Sequence, residues 1–239
     1  MPSIYSLHTD GYIAPSLNVG PFSSARSYTG STTVNNTDTT AFRPAVYAFS
    51  GRGGVVYRVE RAFFEFDTSG ITSTVGAASF KFTTNGTATG NSNVIAVKST
   101  AFTNLFKGTY LLQSSDFNQL DFNTAYTGEI DLSSAGSGTR ITATLNSTAL
   151  SDLVSLSRFR IALINYAFDY SNVTPTTATS RQSIRFQNYS GTSSDPEINY
   201  TLGSSGPANL TSLNAITKSN ITNVNTITLA NITSINTIA

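Results

Sequence analysis

Residues 61–71 read RAFFEFDTSGI, and the fold turns on which way these side chains point. Along an extended chain, successive side chains alternate between two faces. Ala62, Phe64 and Phe66 then share one face, and Arg61, Phe63, Glu65 and Asp67 share the other. The stretch predicts a strand closed by Ser69 and Gly70. Outward from it the alternation recurs. ASFKFTT (78–84) puts Phe80 and Phe82 on one face, and NVIAVKS (93–99), TRITATLN (139–146), SIRFQNY (183–189) and EINYTL (197–202) read as further strands, rich in β-branched and aromatic residues. RFRIALINYAFDY (158–170) is apolar on both faces, as a central strand covered on each side must be. Only STALSDLVSLS (147–157) has helical spacing, through Leu150, Leu153 and Val154, with Ser147 or Thr148 as its cap. Many strands and one short helix predict an all-β chain, an antiparallel sandwich of two sheets.

Composition narrows the partners. Charged residues make up 11% of the 239, against roughly 25% in ordinary soluble domains. The net charge is +1, with no basic run to draw a phosphate backbone, so nucleic acid is not expected. No apolar stretch reaches the ~20 residues that span a bilayer, so membrane insertion is not expected either. Without cysteine, neither disulfide nor thiol chemistry is open. The first residues show no basic and apolar leader, while the Ser-, Thr- and Asn-rich surface has an extracellular character. Release by lysis, as a virion component is released, would reconcile the two.

The Gly- and Ser-rich stretch after residue 202 divides the chain. We expect a sandwich domain at 1–202, a linker at 203–208 and a tail at 209–239. The tail repeats one pattern three times with a period of eleven: ANLTSLNAITK, SNITNVNTITL, ANITSINTIA. Its aliphatic residues are Leu210, Leu213 and Ile216, then Ile221, Val224 and Ile227, then Ile232, Ile235 and Ile238. An eleven-residue period can also signal a helical supercoil. The Thr, Asn and Ser between the aliphatics compete for backbone hydrogen bonds and argue for an extended chain, with Asn209, Asn220 and Asn231 opening its turns. A buried aliphatic side chain is worth about 1.5–3 kcal/mol, and ordering each residue costs about 1–2 kcal/mol. Three aliphatics per eleven residues fall short, so the tail needs company. These nine positions are the expected docking residues, toward other copies in a homo-oligomer (a trimer favoured) or toward another protein.

The strand pattern resembles a known family. Arg61, Phe64, Phe66, Asp67, Ser69 and Ile71 fall on the opening motif of the DNRLRE or disaggregatase-related domains. Phe186, Gly191, Pro196, Ile198 and Tyr200 follow their closing one. Glu65 stands where the family has a second arginine, and Asn188 or Tyr189 where it has a closing glutamate. The resemblance covers roughly residues 55–202 and implies a jelly-roll β-sandwich, a scaffold found in wall-associated proteins and in phage structural proteins. The tail, in turn, resembles the C-terminal repeats of structural proteins from phages of Bacteroidota, crAss-like phages included. Together they imply a non-enzymatic virion subunit, a head decoration, head fibre or tail-associated protein, touching other virion proteins.

No catalytic, cofactor or metal site is expected. His8 has no H-x-H partner, no cysteine and no acidic cluster nearby. Glu65 and Asp67 share a face at about 6.6 Å, a separation glycosidase carboxylates use, but Arg58 and Arg61 lie close enough along the chain to neutralise both. Asp116, Asp121 and Asp131 lack calcium-loop spacing. Arg158, Arg160, Arg181 and Arg185 could pair with carboxylates or stack on rings at an interface. The rival to an assembly subunit is a carbohydrate-binding module recognising host surface glycans, with Tyr166, Phe168 and Tyr170 on one strand face as its platform.

Overall fold

The computed structural model describes residues 1–7, 10–35, 43–51, 53–106, 109–176, 179–185 and 193–203. Residues 104–106 and 109–110 are described by backbone alone, as are 212–213, 216–217, 223–224 and 227–228. The strands run β1 (Ser3–Tyr5), β2 (Gly11–Pro15), β3 (Thr32–Asn35), β4 (Ala45–Gly51), β5 (Gly54–Asp67), β6 (Val75–Thr83) and β7 (Val94–Ser99). They continue with β8 (Asn104–Phe106), β9 (Thr109–Leu111), β10 (Leu120–Ala125), β11 (Arg140–Thr144), β12 (Arg158–Asn165), β13 (Ser180–Arg181) and β14 (Glu197–Leu202). One turn of helix, α1 (Phe22–Arg26), precedes β3, and α2 (Ser147–Ser155) joins β11 to β12.

Two sheets carry the domain. One orders its strands β1-β14-β6-β11, and the other β10-β7-β12-β5-β2-β3, with every described pairing antiparallel. Setting β2, β3 and β4 aside as an extension, the chain crosses from one sheet to the other at β1→β5, β5→β6, β6→β7, β10→β11, β11→β12 and β12→β14. It stays within a sheet only from β7 to β10. That is the jelly roll, eight strands wound as two Greek keys. The all-β antiparallel sandwich expected from the alternation is therefore present.

The alternation of residues 61–67 reads correctly in three dimensions. Ala62, Phe64 and Phe66 point between the sheets, where Phe80, Phe82, Phe159, Ile161, Leu163 and Ile198 meet them. Phe63 points the other way, into a second cluster with Ile13, Val59, Ile95, Val97, Ala162 and Ile164. That outer face is covered by Phe22 and Ala25 of α1 and by Phe102, Leu112 and Phe117. β12 lies between β5 and β7 and is buried on both sides, as its two-faced apolar run predicts.

The helix is where the spacing puts it, but its cap is Asn146, whose Oδ1 accepts the Ala149 N–H at 3.1 Å. Ser147 and Thr148 already lie inside the first turn. Asn146 also donates to the Ala125 carbonyl at 2.7 Å, so one amide both starts α2 and ties it to β10. The Tyr126 hydroxyl adds a second tie, donating to Asp152 of α2 at 2.6 Å, while Lys98 reaches the same oxygen at 2.8 Å. Burial and that carboxylate together push the Tyr126 phenol far above its ordinary range.

Candidate functional site

The tail leaves the sandwich at a defined place. β14 ends with Leu202 paired to Val75, and the Gly203 N–H donates to the Thr74 carbonyl at 2.7 Å. Leu202 is 56% exposed, unusual for a leucine ending a sheet strand. Beside it lies a groove of about 470 Å³ between the start of β6 and α2. Val75, Leu150 and Val154 line it, and the hydroxyls of Ser147, Ser151 and Ser155 rim it. Gly203, where the described chain of the sandwich ends, follows a strand end that lies beside this open apolar surface.

Within the tail, Ser212–Leu213 pairs antiparallel with Ile216–Thr217, and Asn223–Val224 pairs in the same way with Ile227–Thr228. The two pairs sit eleven residues apart, so the sequence repeat is also a backbone repeat. In each, the second and third aliphatics face one another: Leu213 opposite Ile216, and Val224 opposite Ile227. This backbone is strand, and the helical supercoil is thereby excluded for these residues. Asn209, Asn220 and Asn231 are the expected turn openers of the tail. Those asparagines lie outside the described residues, as do Leu210, Ile221, Ile232, Ile235 and Ile238 of the docking set.

The candidate glycan platform does not survive as a strand. β12 stops at Asn165, whose side chain accepts the Phe168 N–H at 2.9 Å and turns Tyr166–Tyr170 into one turn of π-helix. Tyr166 and Tyr170, one turn apart, stack at 5.7 Å, and both pack with Phe168 against the second cluster. The three rings are half-buried props of a core rather than one flat face.

What the turn does is bury Asp169. Its carboxylate receives Nε of Arg61 at 2.8 Å and an Nη of Arg61 at 2.9 Å, a two-pronged pair with both side chains fully buried. The remaining donors of Arg61 reach the Arg26 and Phe117 carbonyls, each at 2.8 Å, and Asn118 Oδ1 at 3.3 Å. Its guanidinium lies 4.3 Å from the Phe117 ring centre. Sequence reading missed this network; the one signal was an arginine heading the most apolar run of β5.

The expected neutralisation of Glu65 and Asp67 by Arg58 and Arg61 is corrected. Arg61 is spent on Asp169 and Arg58 on Glu60, so Glu65 and Asp67 take other partners. Glu65 pairs with Arg160, directly opposite on β12, at 3.0 Å. Asp67 accepts the Ser69 hydroxyl and N–H at 2.6 and 3.1 Å, which hold its carboxyl below the usual range. Arg58 pairs with Glu60. A glycosidase reading would need two carboxylates facing one cleft, and these face a turn and an arginine.

The other aspartates also serve the backbone. Asp116 accepts the Gln113 and Phe102 N–H groups at 2.9 and 3.2 Å. Asp121 holds the turn at Asn123–Thr124, and Asp131 the turn at Ser133. No trio of potential metal-ligating side chains comes together among the described residues; His8, Phe186, Asn188, Tyr189 and Gly191 lie outside them. Comparison with protein-family models finds no match, and comparison with curated proteins finds none.

Proposed function

We propose that this chain is a non-enzymatic structural subunit of a bacteriophage virion, a jelly roll carried on the particle by a repeated tail that joins it to copies of itself and to neighbouring virion proteins. The observation that carries the reading is the recurrence of one strand pair, in one register, at the eleven-residue period. Two-residue pairs are far too short to be stable alone. Three chains winding together would extend each pair and bury the aliphatic edge, and the groove at Val75, Leu150 and Val154 is the nearest domain surface to receive what remains. The virion setting rests on the resemblance of the sandwich and the tail to phage structural proteins.

The test is the mass of the assembly in solution. The full chain should sediment as a trimer at micromolar concentration. A chain ending at residue 207 should be a folded monomer, because both core clusters are built from residues 4–200. The full chain with Leu213, Ile216, Val224 and Ile227 all changed to serine should behave like the truncation. A full chain that sediments as a monomer, or variants that keep the oligomer, would remove the assembly role.

A further inference from the structure

The N-terminal half of β5 runs beyond the jelly roll and pairs with β4, Ala45 opposite Glu60 through Gly51 opposite Gly54. This hairpin has two unlike faces. Val46, Tyr57 and Val59 point into the second core cluster. The other face carries Tyr47 and Phe49 from β4 with Arg58 and Glu60 from β5. Arg43 precedes β4, and Arg181 of β13 lies directly opposite Ala45. The result is a groove of about 360 Å³, closed by Thr89 and Thr179, at the small end of the roughly 300–1,000 Å³ range of ligand sites.

Its chemistry is one-sided. Three guanidiniums, Arg43, Arg58 and Arg181, share the groove with one carboxylate, Glu60. That surplus of two positive charges is local, since the whole chain carries only +1. Glu60 takes Arg58 at 3.1 Å and Arg43 at 3.4 Å, and the Tyr47 hydroxyl donates to it at 3.4 Å. Arg181 hydrogen-bonds Tyr47, and the contacts to Glu60 use only part of the Arg43 and Arg58 forks. The buried Nε of Arg58 meets no acceptor among the described residues. The Tyr47 and Phe49 rings stack in parallel 5.7 Å apart, and Arg58 lies 4.6 Å over Tyr47, fixing its fork in place. Phe49 remains half-exposed at the mouth.

We propose that this groove binds a carboxylated sugar residue of an acidic polysaccharide, its carboxylate held by Arg43, Arg58 and Arg181 and its ring laid against Phe49. Guanidinium forks match a planar carboxylate in two-pronged geometry. The negative face of an aromatic ring attracts the C–H face of a pyranose. A nucleic acid would call for a basic stripe following a backbone, whereas these arginines converge on one pocket beside a buried glutamate. The site is separate from the Tyr166–Tyr170 turn and independent of how the tail assembles.

The experiment is calorimetric titration of the full chain with alginate oligosaccharides, neutral dextran, dextran sulfate and a single-stranded oligonucleotide. Alginate should bind and dextran should not. Arg43→Ala and Arg181→Ala should each weaken alginate binding about tenfold or more, as loss of a charge-assisted hydrogen bond does. Arg181→Lys should fail to restore it. Phe49→Ala keeps every charge and should still weaken binding. Arg158→Ala removes the same charge from β12, opposite Asp67 and so about 30 Å along β5 from Arg58, and should leave binding unchanged; matched circular dichroism establishes that each variant is folded. Four outcomes would overturn the proposal: no alginate binding at millimolar sugar, equal loss in Arg158→Ala, dextran sulfate binding as tightly as alginate, or the oligonucleotide binding best.

Discussion

Arg61→Met is the most informative single change, because it keeps the apolar stem and removes only the guanidinium. The native side chain is fully buried and spends its donors on Asp169, the Arg26 and Phe117 carbonyls and Asn118. The variant leaves the fully buried Asp169 carboxylate with Arg26, whose Nε is 3.3 Å away and itself partly exposed. Two buried carbonyls lose their donor as well. Removing one partner of a buried pair costs about 3–5 kcal/mol, and we expect a loss in that range. Arg61→Met with Asp169→Leu removes the stranded charge and should recover at least about 1–2 kcal/mol; the orphaned carbonyls, at about 1–3 kcal/mol each, prevent full recovery. The chain has no tryptophan, so urea unfolding is followed by circular dichroism. A loss below about 1 kcal/mol in the single variant, or a double variant weaker than the single, would refute the claim that this pair locks α1, β5 and the Tyr166–Tyr170 turn together.

Two further outcomes follow from the packing. Phe80 sits fully buried between Phe64, Phe66 and Phe82, with ring centres 5.3–6.0 Å away, so Phe80→Ala should cost about 3–5 kcal/mol in the same urea assay. Burial raises the Glu60 carboxyl above its ordinary 4.5, more than Arg58 and Arg43 lower it; the long contacts at 3.1 and 3.4 Å explain why desolvation wins. Tyr12 and Tyr47 also face it. A raised acid binds more protons folded than unfolded, so its contribution to stability is present below pH 4.5 and lost as pH rises through its folded value. The stability of wild type relative to Glu60→Gln should therefore fall between pH 4 and 7; a difference that grows with pH would contradict this.

Much of the architecture was legible because its cause is local. Alternation of side chains along an extended chain depends only on backbone geometry, so RAFFEFD puts Phe64 and Phe66 on one face and Phe63 on the other without knowledge of any neighbour. The same holds for Phe80 and Phe82, for the two-faced β12, and for the helical spacing of Leu150, Leu153 and Val154. Local competition also explains the reading that failed at residues 166–170. The aromatic pattern suits a strand, but the side chain of Asn165 takes the Phe168 N–H and closes a turn instead.

What the chain could not announce is who meets whom across the sheets. Arg61 finds Asp169 at 108 residues' distance, and Glu65 finds Arg160 at 95, because strand order and register set cross-strand neighbours while sequence spacing does not. Arg43, Arg58 and Arg181 look like scattered solvated charges until β13 pairs with β4 and brings them to one groove. Alternation is written residue by residue, and so the sequence by itself determined the sandwich and which side chains share a face of a strand. Convergence of charge is a property of the winding of the jelly roll, which only the folded chain possesses.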